Sequence, residues 1–173
     1  RQLYGRKWGI VGLGAIGQRV ALLANAFGCK VLGYNRSPKA LPHITQVDKD
    51  TLLRQSDIIT VHLPLNPETK AFIGTNEFAL MQPHAVLINT ARGALVDEEA
   101  LYRALKEGRI AGAACDVFCE EPPTRENPLF SLPNFVGTPH IGANTDDALY
   151  TVGITCVEQI LDVLEGRKPK YPL

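Results

Sequence analysis

Short apolar runs alternate with stretches of helical periodicity along the whole chain. Residues 8–11 read as a first strand. Residues 15–27 have helical spacing, with Ile16, Val20, Leu23 and Phe27 on one face and Gly28 as the stop. Residues 30–34 form a second strand, and residues 49–55 a short helix with Asp48 as its N-cap. A β-branched third strand over residues 57–63 is closed by Pro64. Residues 85–89 and 110–117 are further buried strands, separated by a helix over 97–106 that Gly108 ends. A last short strand is predicted over 134–137 and a long helix over 145–165, followed by a proline-containing tail over 168–173. Strand and helix taking turns predict an α/β fold in which a doubly wound parallel sheet is covered on both faces.

Composition narrows the function classes. A chain of 173 residues suits one domain. Its 18 basic and 18 acidic residues cancel, which speaks against a nucleic-acid partner or a charged membrane surface. No apolar run approaches the roughly 20 residues of a membrane helix. Cys29, Cys115, Cys119 and Cys156 form no C-x-x-C pair and read as reduced, buried thiols rather than a metal or disulfide set. That favours a reducing compartment, the cytoplasm first. The chain starts at Arg1 and its one methionine is Met81, so a longer parent with an organelle-targeting segment stays open.

Gly12-Leu13-Gly14-Ala15-Ile16-Gly17 fits G-x-G-x-x-G where the chemistry needs it, after a strand and opening a helix. Gly12 makes the tight turn, Gly14 lets backbone approach a pyrophosphate, and Gly17 lets the helix pack on the strand. The helix N-terminus then offers unpaired N–H groups and partial positive charge to a diphosphate. The second strand ends in Tyr34-Asn35-Arg36-Ser37, without the carboxylate that binds the ribose 2′-hydroxyl of NAD. An arginine pairs well with a 2′-phosphate, so Arg36, helped by Asn35 and Ser37, favours NADP(H) over NAD(H). The alternative is that Arg36 is a solvated loop residue and NAD binds without the acid.

Three candidates for chemistry lie at or beyond the carboxyl ends of strands, where open α/β sheets bind ligands. They are Arg92, Glu121 and His140. Reduction of a keto acid needs a cation for the carboxylate, a proton donor for the developing alkoxide, and a group that orients the donor. A guanidinium, an imidazole and a carboxylate meet those needs in that order. Taken singly, each residue has an ordinary surface reading as well.

The segments Gly9 to Gly17, Asn89 to Asp97, Asp116 to Pro122 and Thr138 to Gly142 resemble, in order and spacing, the nucleotide-binding domain of the D-isomer-specific 2-hydroxyacid dehydrogenases. The likeness implies a Rossmann-like domain and hydride transfer between NAD(P)(H) and a 2-hydroxy acid/2-keto acid pair. It makes Arg92 the substrate-orienting arginine, His140 the proton donor and acceptor, and Glu121 its partner. It places Asp116 near the nicotinamide carboxamide, and Thr90 and Pro64 along the cofactor cleft. Ala15, Ile16, Leu63, Ala91 and Gly142 are expected to bound that cleft, with Arg92 and His140 reaching it.

The chain departs from the family in three places. Asn35 stands where an acid is usual, as in NADP-using members, and Cys115 where a larger aliphatic residue is usual. The substrate domain that members carry is missing, so the isolated domain is expected to be inactive or weakly active. Residues 145–173 are expected to lead toward that missing domain or to cover the sheet. The resemblance also implies a homodimer in the full-length protein, with residues 122–132 a candidate contact. A corepressor-like, dinucleotide-sensing module on the same fold is the alternative function. No residue selects among small keto acids.

Overall fold

The computed structural model describes residues 2–172, so Arg1 and Leu173, the last residue of the predicted tail, lie outside the described residues. In β1 (Lys7–Val11), Ile10 and Val11 enter different apolar clusters, because successive side chains of a strand point to opposite faces. Ile10 packs with Leu13, Ala21, Ala24 and Val31 beneath α1 (Ala15–Ala26). Val11 joins the larger core, with Leu52 and Leu53 of α2 (Lys49–Gln55), Phe78 of α3 (Thr75–Leu80) and Leu101 of α4 (Glu98–Lys106).

The strands are β2 (Lys30–Tyr34), β3 (Thr45–Gln46), β4 (Ile58–Val61), β5 (Val86–Asn89), β6 (Gly112–Cys115) and β7 (Phe135–Gly137), together with β1. Their order is β3-β2-β1-β4-β5-β6-β7, and every pairing is parallel. The predicted doubly wound sheet is therefore present, with β4 and β6 shorter than the apolar runs that signalled them. Asp48 and Asp97 cap α2 and α4, accepting hydrogen bonds from the N–H groups of Thr51 and Ala100.

Of the predicted apolar face of α1, only Val20 packs against the core. Ile16, Leu23 and Phe27 are 69%, 60% and 62% exposed, and the buried positions are Gly17, Ala21 and Ala24. Small residues let α1 lie close to the sheet. Of the four cysteines, Cys29 and Cys115 are buried as expected, whereas Cys119 and Cys156 are exposed. Burial, followed by the nearby Glu98 carboxylate, pushes the Cys115 thiol up to about 12.

Two compact units divide the chain, one up to Pro139 and one from His140 onward. The second consists largely of α5 (Asp146–Leu164), which Thr145 caps by accepting from the Ala148 N–H. Gly166, at φ 73°, follows its end. Among the described residues, no helix is long and apolar enough to cross a membrane.

Candidate functional site

The chain leaves β1 toward β2 on one side and returns at β4 on the other, so the loops after β1 and β4 diverge from adjacent strands. Such a switch point opens a crevice beyond the carboxyl ends of the strands. Gly12 shapes its floor. It has φ 100°, and a Cβ there would lie 2.7 Å from the carbonyl oxygen of His62 in the β4 loop. At Gly17 a Cβ would lie 2.0 Å from the Gly12 carbonyl oxygen, so no larger residue fits without moving backbone. A Cβ on Gly14 would meet nothing within 4 Å, which leaves its backbone approachable.

The first turn of α1 holds no acidic residue, and its N-cap, Gly14, makes no side-chain hydrogen bond. Its N–H groups are thus left to a ligand or to water, unlike those of α2 and α4. The exits of β1 and β2 are tied together by Asn35, whose Oδ1 accepts from the Leu13 N–H at 3.1 Å. The Asn35 amide also donates to the Ser37 carbonyl. Much of the capacity expected of Asn35 toward a ribose is therefore spent on holding the loop. Lys39, which sequence reasoning missed, brings its ammonium to the Leu13 carbonyl at 2.9 Å and adds a cation beside the glycine loop.

Asn35, Arg36 and Ser37 line a cleft of about 350 Å³, closed on the far side by Leu63, Pro64, Glu68, Thr69 and Phe72. A second cleft of about 420 Å³ is lined by Ile16, His62, Leu63, Pro64, Thr90, Ala91 and Arg92. Leu63 and Pro64 are common walls, so the two clefts run from Arg36 at one end to Arg92 at the other. The turn bearing Arg92 is organised from below by Asn89, which is 1% exposed. Asn89 accepts from the Ala91 N–H at 3.1 Å and donates to the Arg92 carbonyl at 2.9 Å. The Arg92 guanidinium itself donates to the Ala91 carbonyl at 2.6 Å and is solvent-exposed.

His62 was also missed. Its Nε2 is buried and has no hydrogen-bond partner among the described residues. Burial holds its imidazolium form below the ordinary pKa of 6.5, so the ring is neutral at pH 7. Asp116 is buried at the end of β6, where its carboxylate accepts from the Thr138 hydroxyl at 2.6 Å. Glu121 is exposed and accepts from the Phe118 N–H at 3.1 Å, which folds the loop after β6 back on itself. His140, at φ 55°, and Gly142 belong to the second unit. The first unit thus brings Arg92, Thr90, Ala91, Ile16, Leu63 and Pro64 onto one cleft and Asn35, Arg36 and Ser37 onto its continuation.

Comparison with known proteins places this geometry. Residues 1–142 match the family model described as D-isomer specific 2-hydroxyacid dehydrogenase, NAD binding domain. The chain is 48% identical over 170 residues to D-3-phosphoglycerate dehydrogenase of Methanocaldococcus jannaschii, a match covering 95% of this chain and 32% of that protein. It is 47% identical over 171 residues to glyoxylate reductase of Thermococcus litoralis, covering 96% of this chain and 51% of the relative. An acyclic imino acid reductase solved in complex with NADPH and D-Arg superposes with a TM-score of 0.92 at 38% identity, over 100% of this chain and 55% of that one. The chain therefore spans between about a third and about half of these relatives, and it belongs to the D-isomer specific 2-hydroxyacid dehydrogenase family as an NAD-binding domain.

Proposed function

We propose that this domain holds a nicotinamide dinucleotide across the carboxyl ends of β1, β2 and β4. In the protein it belongs to, it supports interconversion of a 2-hydroxy acid and a 2-keto acid. The observation that carries the reading is the pair of clefts sharing Leu63 and Pro64, which meets the open Gly14 backbone and the uncapped first turn of α1. A diphosphate suits that turn because its N–H groups and the helix dipole both favour negative charge. Asn35, Arg36 and Ser37 face the ribose end, and the arginine without a neighbouring β2 carboxylate favours NADP(H) over NAD(H). Ala15, Ile16, Leu63, Pro64, Thr90, Ala91, Asp116 and Gly142 complete the cofactor surface.

When bound, the cofactor supplies or takes up the hydride. Arg92 orients the substrate carboxylate, His140 gives or takes the proton at the carbinol oxygen, and Glu121 is the partner of that histidine. Family membership and the matching residues support these roles. Substrate selectivity lies largely outside this domain, since relatives sharing close to half of its residues are named for phosphoglycerate and for glyoxylate. Homodimerisation of the full-length protein follows from the same reading.

Calorimetric titration of the purified chain with NADPH and NADH at one ionic strength tests the cofactor half. Both are expected to bind, NADPH more tightly. Tighter NADH binding overturns the NADP preference, and a folded chain binding neither overturns the site. Keto-acid reduction by a two-domain parent tests the rest. His140→Gln is expected to lower kcat by at least about a hundredfold, and unchanged turnover would remove His140 from the chemistry.

A further inference from the structure

The lining of the Arg36 cleft carries one cation, Arg36, and one carboxylate, Glu68, among the described residues. They come from opposite walls, Arg36 from the exit of β2 and Glu68 from the loop after β4. The Arg36 Nη1 donates to Glu68 Oε2 at 3.0 Å, spanning the mouth of the cleft. The loop that presents Glu68 is built to hold still. Asn66 Oδ1 accepts from the N–H groups of Glu68 and Thr69 at 2.9 and 3.0 Å, and the Thr69 hydroxyl donates to the Pro64 carbonyl at 2.6 Å. The two side chains are 83% and 74% exposed, so their pairing adds little to stability. What the pair changes is the charge that a ligand meets at this rim.

We propose that Glu68 is a specificity-determining residue for the dinucleotide, a role that rests on the cofactor reading above. Glu68 draws Arg36 across the cleft and offsets its charge. A 2′-phosphate must take Arg36 from that partner and still lie near the carboxylate, which repels it. A 2′-hydroxyl brings no charge and meets no such opposition. Glu68 therefore narrows the preference for NADPH that Arg36 creates, and the chain accepts both cofactors. The acid missing from the end of β2 is answered by one contributed from across the crevice.

The test is the ratio of NADH to NADPH dissociation constants, read by calorimetry for the wild-type chain, Glu68→Gln and Glu107→Gln. Glu68→Gln keeps shape and removes charge. It is expected to tighten NADPH about two- to fivefold at low ionic strength while leaving NADH unchanged. The gain should shrink as salt is raised. Glu107, exposed beyond the end of α4, serves as the charge control, and its variant is expected to keep the wild-type ratio. An unchanged ratio in Glu68→Gln, or an equal gain in Glu107→Gln, overturns the proposal while the dinucleotide reading stands. Failure of both dinucleotides to bind the folded wild-type chain overturns the dinucleotide reading and this role with it.

Discussion

At the amino ends of the strands, Asp57 collects the Lys7 N–H at 2.8 Å, the His84 ring at 2.8 Å and the Arg6 guanidinium at 3.4 Å. At the carboxyl ends, the first turn of α1 has no side-chain cap, Gly14 faces open space, and His62 holds a buried nitrogen without a partner among the described residues. The Asp57 cluster therefore satisfies its polar groups internally, whereas the α1 turn and His62 keep hydrogen-bonding capacity in reserve. Unspent hydrogen-bonding capacity weakens a fold but equips a site, because a ligand then meets donors that need not first be released from protein partners.

Breaking the site end at its tightest point should have the largest effect. Gly17→Ala forces a Cβ against the Gly12 carbonyl, and an overpacked backbone contact of this kind costs about 2–4 kcal/mol. Urea denaturation should show that loss, and dinucleotide binding should fall with it. A variant within about 0.5 kcal/mol of wild type would mean that the helix shifts freely on β1, contrary to the packing described.

Asp57→Asn breaks the other end and should cost about 1–3 kcal/mol while leaving dinucleotide affinity unchanged. Burial alone would raise the Asp57 carboxyl, but the Lys7 N–H, His84 and Arg6 outweigh it and hold the group below its ordinary 3.8. A lowered carboxylate stabilises the fold at pH values above 3.8, and that share is lost as pH falls through the folded value. The variant's stability profile should therefore be flatter than wild type in that acid range. A change in affinity would show that the two ends are coupled.

The smallest effect is expected at His62. Burial lowers its folded pKa, so its contribution is complete above 6.5 and is lost as pH falls below that value. His62→Leu should remove this mild-acid loss, measured as the difference in denaturation midpoint between about pH 7.5 and pH 5.5. Equal midpoint shifts in variant and wild type would assign the acid sensitivity to other groups.

Much of the scaffold was legible because its signals are local. The glycine run after residues 8–11 predicted both the β1 turn and the start of α1, and the Asp48 cap falls where predicted, whereas Asp97, read as the first residue of the helix, is its N-cap. Periodicity failed where it reports a helix face without saying which side the sheet takes. In α1 Ile16, Leu22 and Leu23 are exposed while Val20 packs partly inward, and Gly17, Ala21 and Ala24 are buried because the helix must approach the strand closely. The two-residue β3 and six-residue α3 are too short to show a period, and α3 is anchored mainly by one buried side chain, Phe78. Candidate residues at strand ends could be singled out where a motif spans them, as at Arg92, which the structure places on a cleft. Glu68, Lys39 and Asn89 were not found, since their partners Arg36, Leu13 and the Arg92 turn matter through folded geometry that spacing does not encode.

The pairing of β1 also has a consequence for the order of assembly. Lys7 pairs with Lys30 in β2, but Trp8 finds its other neighbour, Ile58, only after β3 and α2 have been made. During synthesis the glycine turn is thus left without its opposing wall until the His62 carbonyl arrives beside Gly12. A nascent chain ending before β4 has the whole phosphate motif in its sequence and no crevice to place it in. The crevice thus depends on a non-local pairing of β1 with β4, whose loop-closure entropy must be met before the site exists.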